Sequence, residues 1–227
     1  MKIYTTANVS IDPILSVSSA TSPDSDHPVY SRAKRCFDVA FTVAVAPFAI
    51  AVIAVAAMLV RLDGGTAFYS QMRIGKNGSA FRLWKLRSMY PDADRKLEAY
   101  LAANPDARIE WNTHQKLRND PRITRVGRVL RKYSIDELPQ LLNVFRGEMS
   151  LVGPRPIMLN QRQDYPGTAY YTMQPGLTGL WQISERNGCT FAERAQHDNA
   201  YAVAMSFTMD MEIMARTALV VFRGTGL

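Results

Sequence analysis

With 227 residues, 47% apolar and 21% charged, the chain is long enough for one ordinary domain with a real core, and its balance excludes wholesale disorder and collagen-like or coiled-coil organisation. Two cysteines, with no C-x-x-C pair and no neighbouring histidine, exclude a disulfide framework and a zinc knuckle. The net charge of +7 is concentrated in residues 64–160, which carry +8 while the flanks carry 0 and −1, so the middle of the chain predicts a polyanionic partner: nucleic acid, an anionic membrane or a nucleotide diphosphate.

The first thirty residues are rich in Ser, Thr, Pro and Asp without an apolar period, and residues 1–31 read as a disordered tail. Val39 to Val60 then gives 22 residues without a charge, a membrane-length segment. Eleven of them are Val, Ile, Phe or Leu, worth on the order of −3 to −7 kcal/mol of insertion free energy at the bilayer centre. Pro47 predicts a kink. A simple span would place Arg32, Lys34 and Arg35 opposite the basic middle, against the positive-inside tendency, whereas a hairpin returning to the same face removes the conflict. Charge and Pro47 leave both open, beside the plainer reading of a buried core helix, which the length disfavours.

Ala67 to Ser70, a turn at Gly75 to Gly78 and Phe81 to Met89 predict a strand hairpin, with Phe81, Leu83, Lys85 and Arg87 on one face. Helices are expected over residues 92–104, 106–118, 124–132, 135–145 and 191–222. Met205, Met209, Met211 and Met214 read as packing in the last of these. Tyr165, Tyr170, Tyr171 and Trp181 suit headgroup depth, or an ordinary core edge.

Ser134-Ile135-Asp136-Glu137-Leu138-Pro139 carries adjacent carboxylates at a helix start, where free N–H groups and the helix dipole favour ionised acids. Ser134 with Glu137 also reads as a capping box, which alone would explain the pair. Its company argues for more. Arg125, Arg128, Arg131 and Lys132 precede it and Gly153-Pro154-Arg155-Pro156 follows; a proline-flanked guanidinium makes a rigid phosphate clamp. Carboxylates among cations suggest phosphoryl transfer, with Asp136 as nucleophile and the neighbouring acid sharing Mg²⁺. A nucleic-acid module would need a helix-turn-helix, zinc or aromatic-platform motif, and none accompanies the basic stretch.

The stretches Lys34-Arg35-Cys36-Phe37-Asp38, Phe81 to Met89 (FRLWKLRSM), Asp120 to Thr124 (DPRIT), Ser134 to Pro156 and Pro175 to Gln182 (PGLTGLWQ) resemble the bacterial polyprenyl-phosphate hexose-1-phosphate transferases, the monotopic phosphoglycosyl transferases that start exopolysaccharide repeat units. Asn104-Pro105-Asp106 with Glu110-Trp111 is most similar to the branch using UDP-galactose. The resemblance implies hexose-1-phosphate transfer from a UDP-sugar to undecaprenyl phosphate with release of UMP, through an aspartyl-phosphosugar intermediate. Asp136 is then the nucleophile and Glu137 its Mg²⁺-holding partner. Lys85, Arg87, Arg131 and Arg155 contact phosphates in a loop bounded by Pro154 and Pro156, with Asp198 and Asp210 as supporting acids.

It further implies an α+β, mostly helical fold: a small cytosolic catalytic domain (63–227) with a short β-hairpin, attached to a re-entrant membrane helix (32–62) that breaks at Pro47. The enzyme would sit, monotopic, on the cytoplasmic face of the inner membrane, and a homodimer is compatible with this. Two departures stand out: Gln174 where the family usually has Arg before Pro-Gly, and Glu185 where it has Gly before Arg-Asn. The rival reading is a non-catalytic, membrane-anchored scaffold of a polysaccharide assembly complex, against which Asp136, Glu137 and Arg155 argue.

Overall fold

The computed structural model describes residues 28–114, 117–184 and 191–224. Residues 1–27 of the expected tail lie outside the described residues, as does Glu185; residues 28–31 begin a helix. That helix, α1 (Pro28–Leu62), absorbs the uncharged run and carries Pro47 within it.

The hairpin forms as expected, β1 (Phe68–Ile74) pairing antiparallel with β2 (Ala80–Leu86) from Phe68↔Leu86 to Ile74↔Ala80. Phe81 and Leu83 face the main core, after which the burial phase shifts to Leu86. A two-stranded sheet explains the shift: it is covered on both sides, and Leu86 packs with Ala56, Val60 and Leu130 beneath α1. Two short helices follow, α2 (Ala93–Ala103) and α3 (Pro105–His114), the second opening on a proline whose missing N–H costs nothing there.

Thr124 caps α4 (Arg125–Lys132) by accepting from the Gly127 amide at 2.8 Å. Gly127 is pressed against β2's continuation: a Cβ there would lie 2.0 Å from the Ser88 carbonyl oxygen. The helix expected over 135–145 divides at Pro139 into a 3-10 turn (Ile135–Gln140) and α5 (Leu141–Arg146), because proline has no N–H for the α-helical bond. β3 (Ser150–Val152) and β4 (Gly176–Thr178) form a parallel pair absent from the sequence reading; three residues each are too short to show a period. α6 (Leu180–Ser184), α7 (Phe191–Ala204) and α8 (Phe207–Arg223) complete the domain. Met209 is buried in the main core with Val144, Leu151, Tyr201 and Ile213, and Met205 and Met214 pack against it.

α1 lies along this domain, touching α4, α5, the 3-10 turn, β2 and β3. Asp38, Thr42, Ala49, Ala56 and Val60 form its buried stripe, and Val43, Phe48, Ile50, Val55 and Met58 stay exposed. At its first end Lys34 and Tyr30 bond to Asp210, while Asp38 accepts from Ser150 Oγ at 2.7 Å and the Leu151 amide at 3.2 Å. Arg35 donates to the Val144 and Phe145 carbonyls at 2.6 and 2.8 Å, capping α5. At its far end Val60 packs with Leu86 and Leu130.

The headgroup expectation fails for three of its four residues. Tyr165, Tyr170 and Trp181 are buried, and Tyr165 and Tyr170 close a third cluster with Ile74, Ile157 and Ala195, against which half-buried Tyr171 packs. The Tyr170 hydroxyl donates to the Ile74 carbonyl at 2.5 Å and accepts from the Ile157 amide at 3.2 Å, so its polar end is already satisfied inside the protein.

Candidate active site

Asp136 and Glu137 sit in the first turn of the 3-10 segment, but no capping box holds them there. Ser134 is in the left-handed region (φ 53°) and makes no side-chain cap. The Glu137 carboxylate instead accepts from Lys85 Nζ at 2.6 Å, across to β2. Asn143 of the α5 helix that follows, wholly buried, ties that helix to β2: its Oδ1 accepts from the Trp84 amide at 3.2 Å, and its Nδ2 donates to the Arg82 carbonyl and Glu148 at 2.7 and 2.6 Å.

Asp136 is 7% exposed. Burial raises its carboxyl above the ordinary range; Lys85 and Arg131 pull it down and Glu137 pushes it up, with a net upward result. Arg131 is itself held low, chiefly by burial and against the pull of Asp136, and donates from Nε to Ser88 Oγ at 2.8 Å. The DPRIT stretch acts on it electrostatically, Asp120 favouring its charge and Arg122 opposing it. Asp120 takes Arg122 in a two-pronged bond (2.7 to 3.1 Å), and the Tyr90 amide donates to the Arg122 carbonyl at 2.9 Å.

Lys85 and Glu137 line a cleft together with Arg155, Arg73, Gln140, Pro156, Leu177 and Gln182. The Pro154-Arg155-Pro156 loop is rigid for two reasons. Pro154 is fully buried and accepts from the Gly176 amide at 2.8 Å. A Cβ on Gly176 would fall 2.2 Å from the Gly153 nitrogen, so only glycine allows this approach. The Arg155 guanidinium lies 5.3 Å from the Trp181 ring centroid, which gives PGLTGLWQ a local task. The free space enclosed between these walls is about 20 Å³, room for a water.

Lys85, Asp136, Glu137 and Arg131 are thus brought together, and Arg155 and Pro156 line the same cleft as Lys85 and Glu137. Arg87 is not with them. It donates to the Val60 and Gly64 carbonyls and clamps the far end of α1, since the strand ends at Leu86 and period two no longer orients it. Asp210 is taken by Lys34, Tyr30 and Tyr201 and ties α1 to α8.

Asp198 accepts from Tyr165, and burial lifts its carboxyl to about 6 despite that bond and Arg194. The raised value means the folded state holds the proton more tightly, so this stability is full below the unfolded value and lost as pH rises through about 6. Between about pH 4 and pH 7, wild type is expected to lose on the order of 2–3 kcal/mol relative to Asp198→Asn. Denaturant unfolding of both at the two pH values checks this, and equal losses would acquit Asp198.

The sequence reading missed two residues of the site. Arg73 had a signal: its register partner is Phe81, and Tyr69 pairs with Lys85, so directly opposed positions put Arg73 on the face of Lys85. Asn143, inside an apolar helical pattern, had none. Gln174, the departure from the usual Arg, donates to the Gly147 carbonyl at 2.7 Å behind α5.

The model of the bacterial sugar transferase family matches residues 29–224. The chain belongs to that family. This transferase is 47% identical over 193 residues to exopolysaccharide production protein ExoY of Rhizobium meliloti, covering 84% of this chain and 85% of that one. It is 43% identical over 195 residues to the undecaprenyl-phosphate galactose phosphotransferase of Salmonella typhimurium, across 85% of this chain and 41% of that longer protein. It is 37% identical over 195 residues to the UDP-glucose:undecaprenyl-phosphate glucose-1-phosphate transferase of Caulobacter vibrioides, across 81% and 67%. The transferase is therefore an enzyme of the phosphoglycosyl transferase class, as its motifs implied.

Proposed function

We propose that the enzyme transfers hexose-1-phosphate, galactose-1-phosphate in the first instance, from a UDP-sugar to undecaprenyl phosphate, as the first membrane step of exopolysaccharide repeat-unit assembly. The observation that carries this is the buried Asp136 carboxylate, within the fields of Lys85 and Arg131, beside a Glu137 that lines one cleft with Lys85 and Arg155. An Asp136 oxygen attacks the sugar-linked phosphorus; the bond to the UMP oxygen breaks and UMP leaves with its electron pair. An oxygen of undecaprenyl phosphate then attacks the same phosphorus, releasing the Asp136 carboxylate and giving undecaprenyl diphosphate-hexose. UMP release from a panel of UDP-sugars, with and without undecaprenyl phosphate, tests the reading. No release from any of them would favour the scaffold.

Magnesium suits the donor set. Two hard carboxylates stand side by side, and Mg²⁺ typically takes one or two of these together with substrate phosphates. Among the described residues no group of three or more His, Cys, Asp or Glu converges, so phosphate oxygens would complete the shell. Asp136 and Glu137 would hold the ion, which when bound offsets charge on the transferring phosphoryl group. Glu137→Gln is expected to raise the Mg²⁺ needed for half-maximal UMP release at least ~10-fold, about 1.4 kcal/mol. Superimposable titrations would remove Glu137 from the metal.

For the membrane we propose a monotopic, re-entrant attachment on the cytoplasmic face, α1 entering one leaflet and leaving by the same side. Both ends of α1 rest on the catalytic domain, and its exposed face is apolar; a crossing helix would carry one end away. In a cysteine-free background, Ser18→Cys and Asn104→Cys are expected to label from the same, cytoplasmic side. Labelling of the first only from the periplasm would leave a span.

A further inference from the structure

Arg73 was not among the residues that the motifs assigned to phosphate, yet its surroundings single it out. It ends β1 beside the clamp loop, donating from Nη1 to the Pro156 carbonyl at 3.1 Å and from Nη2 to Gln71 Oε1 at 2.7 Å. The Ile74 amide donates to the Ile157 carbonyl at 3.0 Å, and the Tyr170 hydroxyl bridges the same two segments. The strand end and the clamp loop therefore form one rigid piece.

Charge is the second observation. The cleft walls carry Arg73, Lys85 and Arg155 against the single carboxylate of Glu137. That leaves two positive charges. Lys85 is already paired with Glu137, and Arg155 rests on Trp181 and makes no hydrogen bond among the described residues. Arg73 is half-buried, its Nε buried without an acceptor. Burial first and the like charge of Arg155 second pull its ionisation below the ordinary arginine range. Arg73 and Arg155 repel each other, and Glu137, the one carboxylate lining the cleft, is already paired with Lys85, so an anion entering the cleft relieves the repulsion.

We propose that Arg73 and Arg155 are the two halves of one clamp for the diphosphate of the sugar nucleotide, Arg73 supplying fixed charge and holding the clamp loop through Pro156. This rests on the phosphoglycosyl transfer reading and adds a substrate-binding residue to it. Two positive charges match the two negative charges of a nucleotide diphosphate-sugar, and binding relieves the repulsion between the arginines.

The test is the affinity of the full chain, in detergent micelles or nanodiscs, for UDP and for uridine across a range of NaCl concentrations. Arg73→Gln keeps a donor for the Pro156 carbonyl and removes the charge, while Arg73→Lys keeps the charge. The expected result is UDP binding weakened at least ~10-fold in Arg73→Gln, with a shallower salt dependence and unchanged uridine binding, and within ~3-fold of wild type in Arg73→Lys. A purely structural arginine would not change the salt slope. UDP affinity in Arg73→Gln within twofold of wild type overturns this proposal alone, and so does equal loss in the two variants. Failure of wild type to bind UDP overturns it together with the transferase reading. If Arg73→Gln does not fold, a loss above tenfold in Arg73→Lys, its charge intact, overturns the proposal, and near-wild-type affinity and salt slope support it.

Discussion

Asp136→Asn is expected to lower UMP release at least ~10³-fold while the protein remains folded, as removal of a covalent nucleophile does. The substitution keeps the size of a side chain that is 7% exposed and removes only the attacking oxygen's charge. Burial already raises the Asp136 carboxyl, so a neutral amide costs less desolvation and the fold has no reason to weaken. Turnover near that of wild type would return Asp136 to a structural part, and unfolding of the variant would show that Lys85 and Arg131 need its charge for stability. Turnover is to be measured beside a melting curve for that reason. Rapid mixing of wild type with UDP-sugar alone adds a direct reading: one equivalent of UMP per enzyme before the lipid arrives is the mark of a covalent intermediate.

Gly176→Ala is expected to have a large effect on stability. The added carbon would stand 2.2 Å from the Gly153 nitrogen and 2.3 Å from the Thr178 carbonyl oxygen. Both are backbone atoms, and neither can rotate away. Overpacking ordinarily costs about 1–3 kcal/mol where side chains can yield, so a cost above about 3 kcal/mol is expected here, a fall of roughly 6–12 °C in Tm for a domain of this size. Relief requires the backbone at Gly176 to draw away from Gly153, which also moves Pro154 and the Arg155 beyond it. The variant is therefore expected to lose affinity for UDP as well as stability. A Tm within about 2 °C of wild type would show that the strand pair is looser than its contacts imply.

Much of this protein was written locally. The uncharged run from Val39 to Val60 specified a helix by length and composition alone, and the turn between Ile74 and Ala80 specified a hairpin. Asp136, Glu137 and Arg155 could be named in advance because their chemistry is unusual for their positions: adjacent acids before a proline, and an arginine between two prolines. Alternation along β2 put Lys85 on one face with Arg87, and the family resemblance implied its place in the site. These are signals within a few residues, set by backbone periodicity and side-chain type.

Where the chain passes from one element to the next, only the tertiary structure decided. Arg87 sits two residues after Lys85 in a sequence that alternates, yet the strand ends between them and the arginine goes to the carbonyls of α1. Asp210 has the look of a helix-surface acid, and Lys34, some 176 positions away in the chain, claims it. Ser134 and Glu137 have capping-box spacing, but a left-handed Ser134 and a lysine from β2 compete for the same groups and win, because a charge-assisted bond at 2.6 Å outweighs a neutral cap. Arg73 and Asn143 belong to the site through the register of two strands and a helix that closes on them. Local spacing carries the identity of chemically distinctive residues, while the partner each one meets is set by long-range packing, and that packing determines which arginines face the cleft.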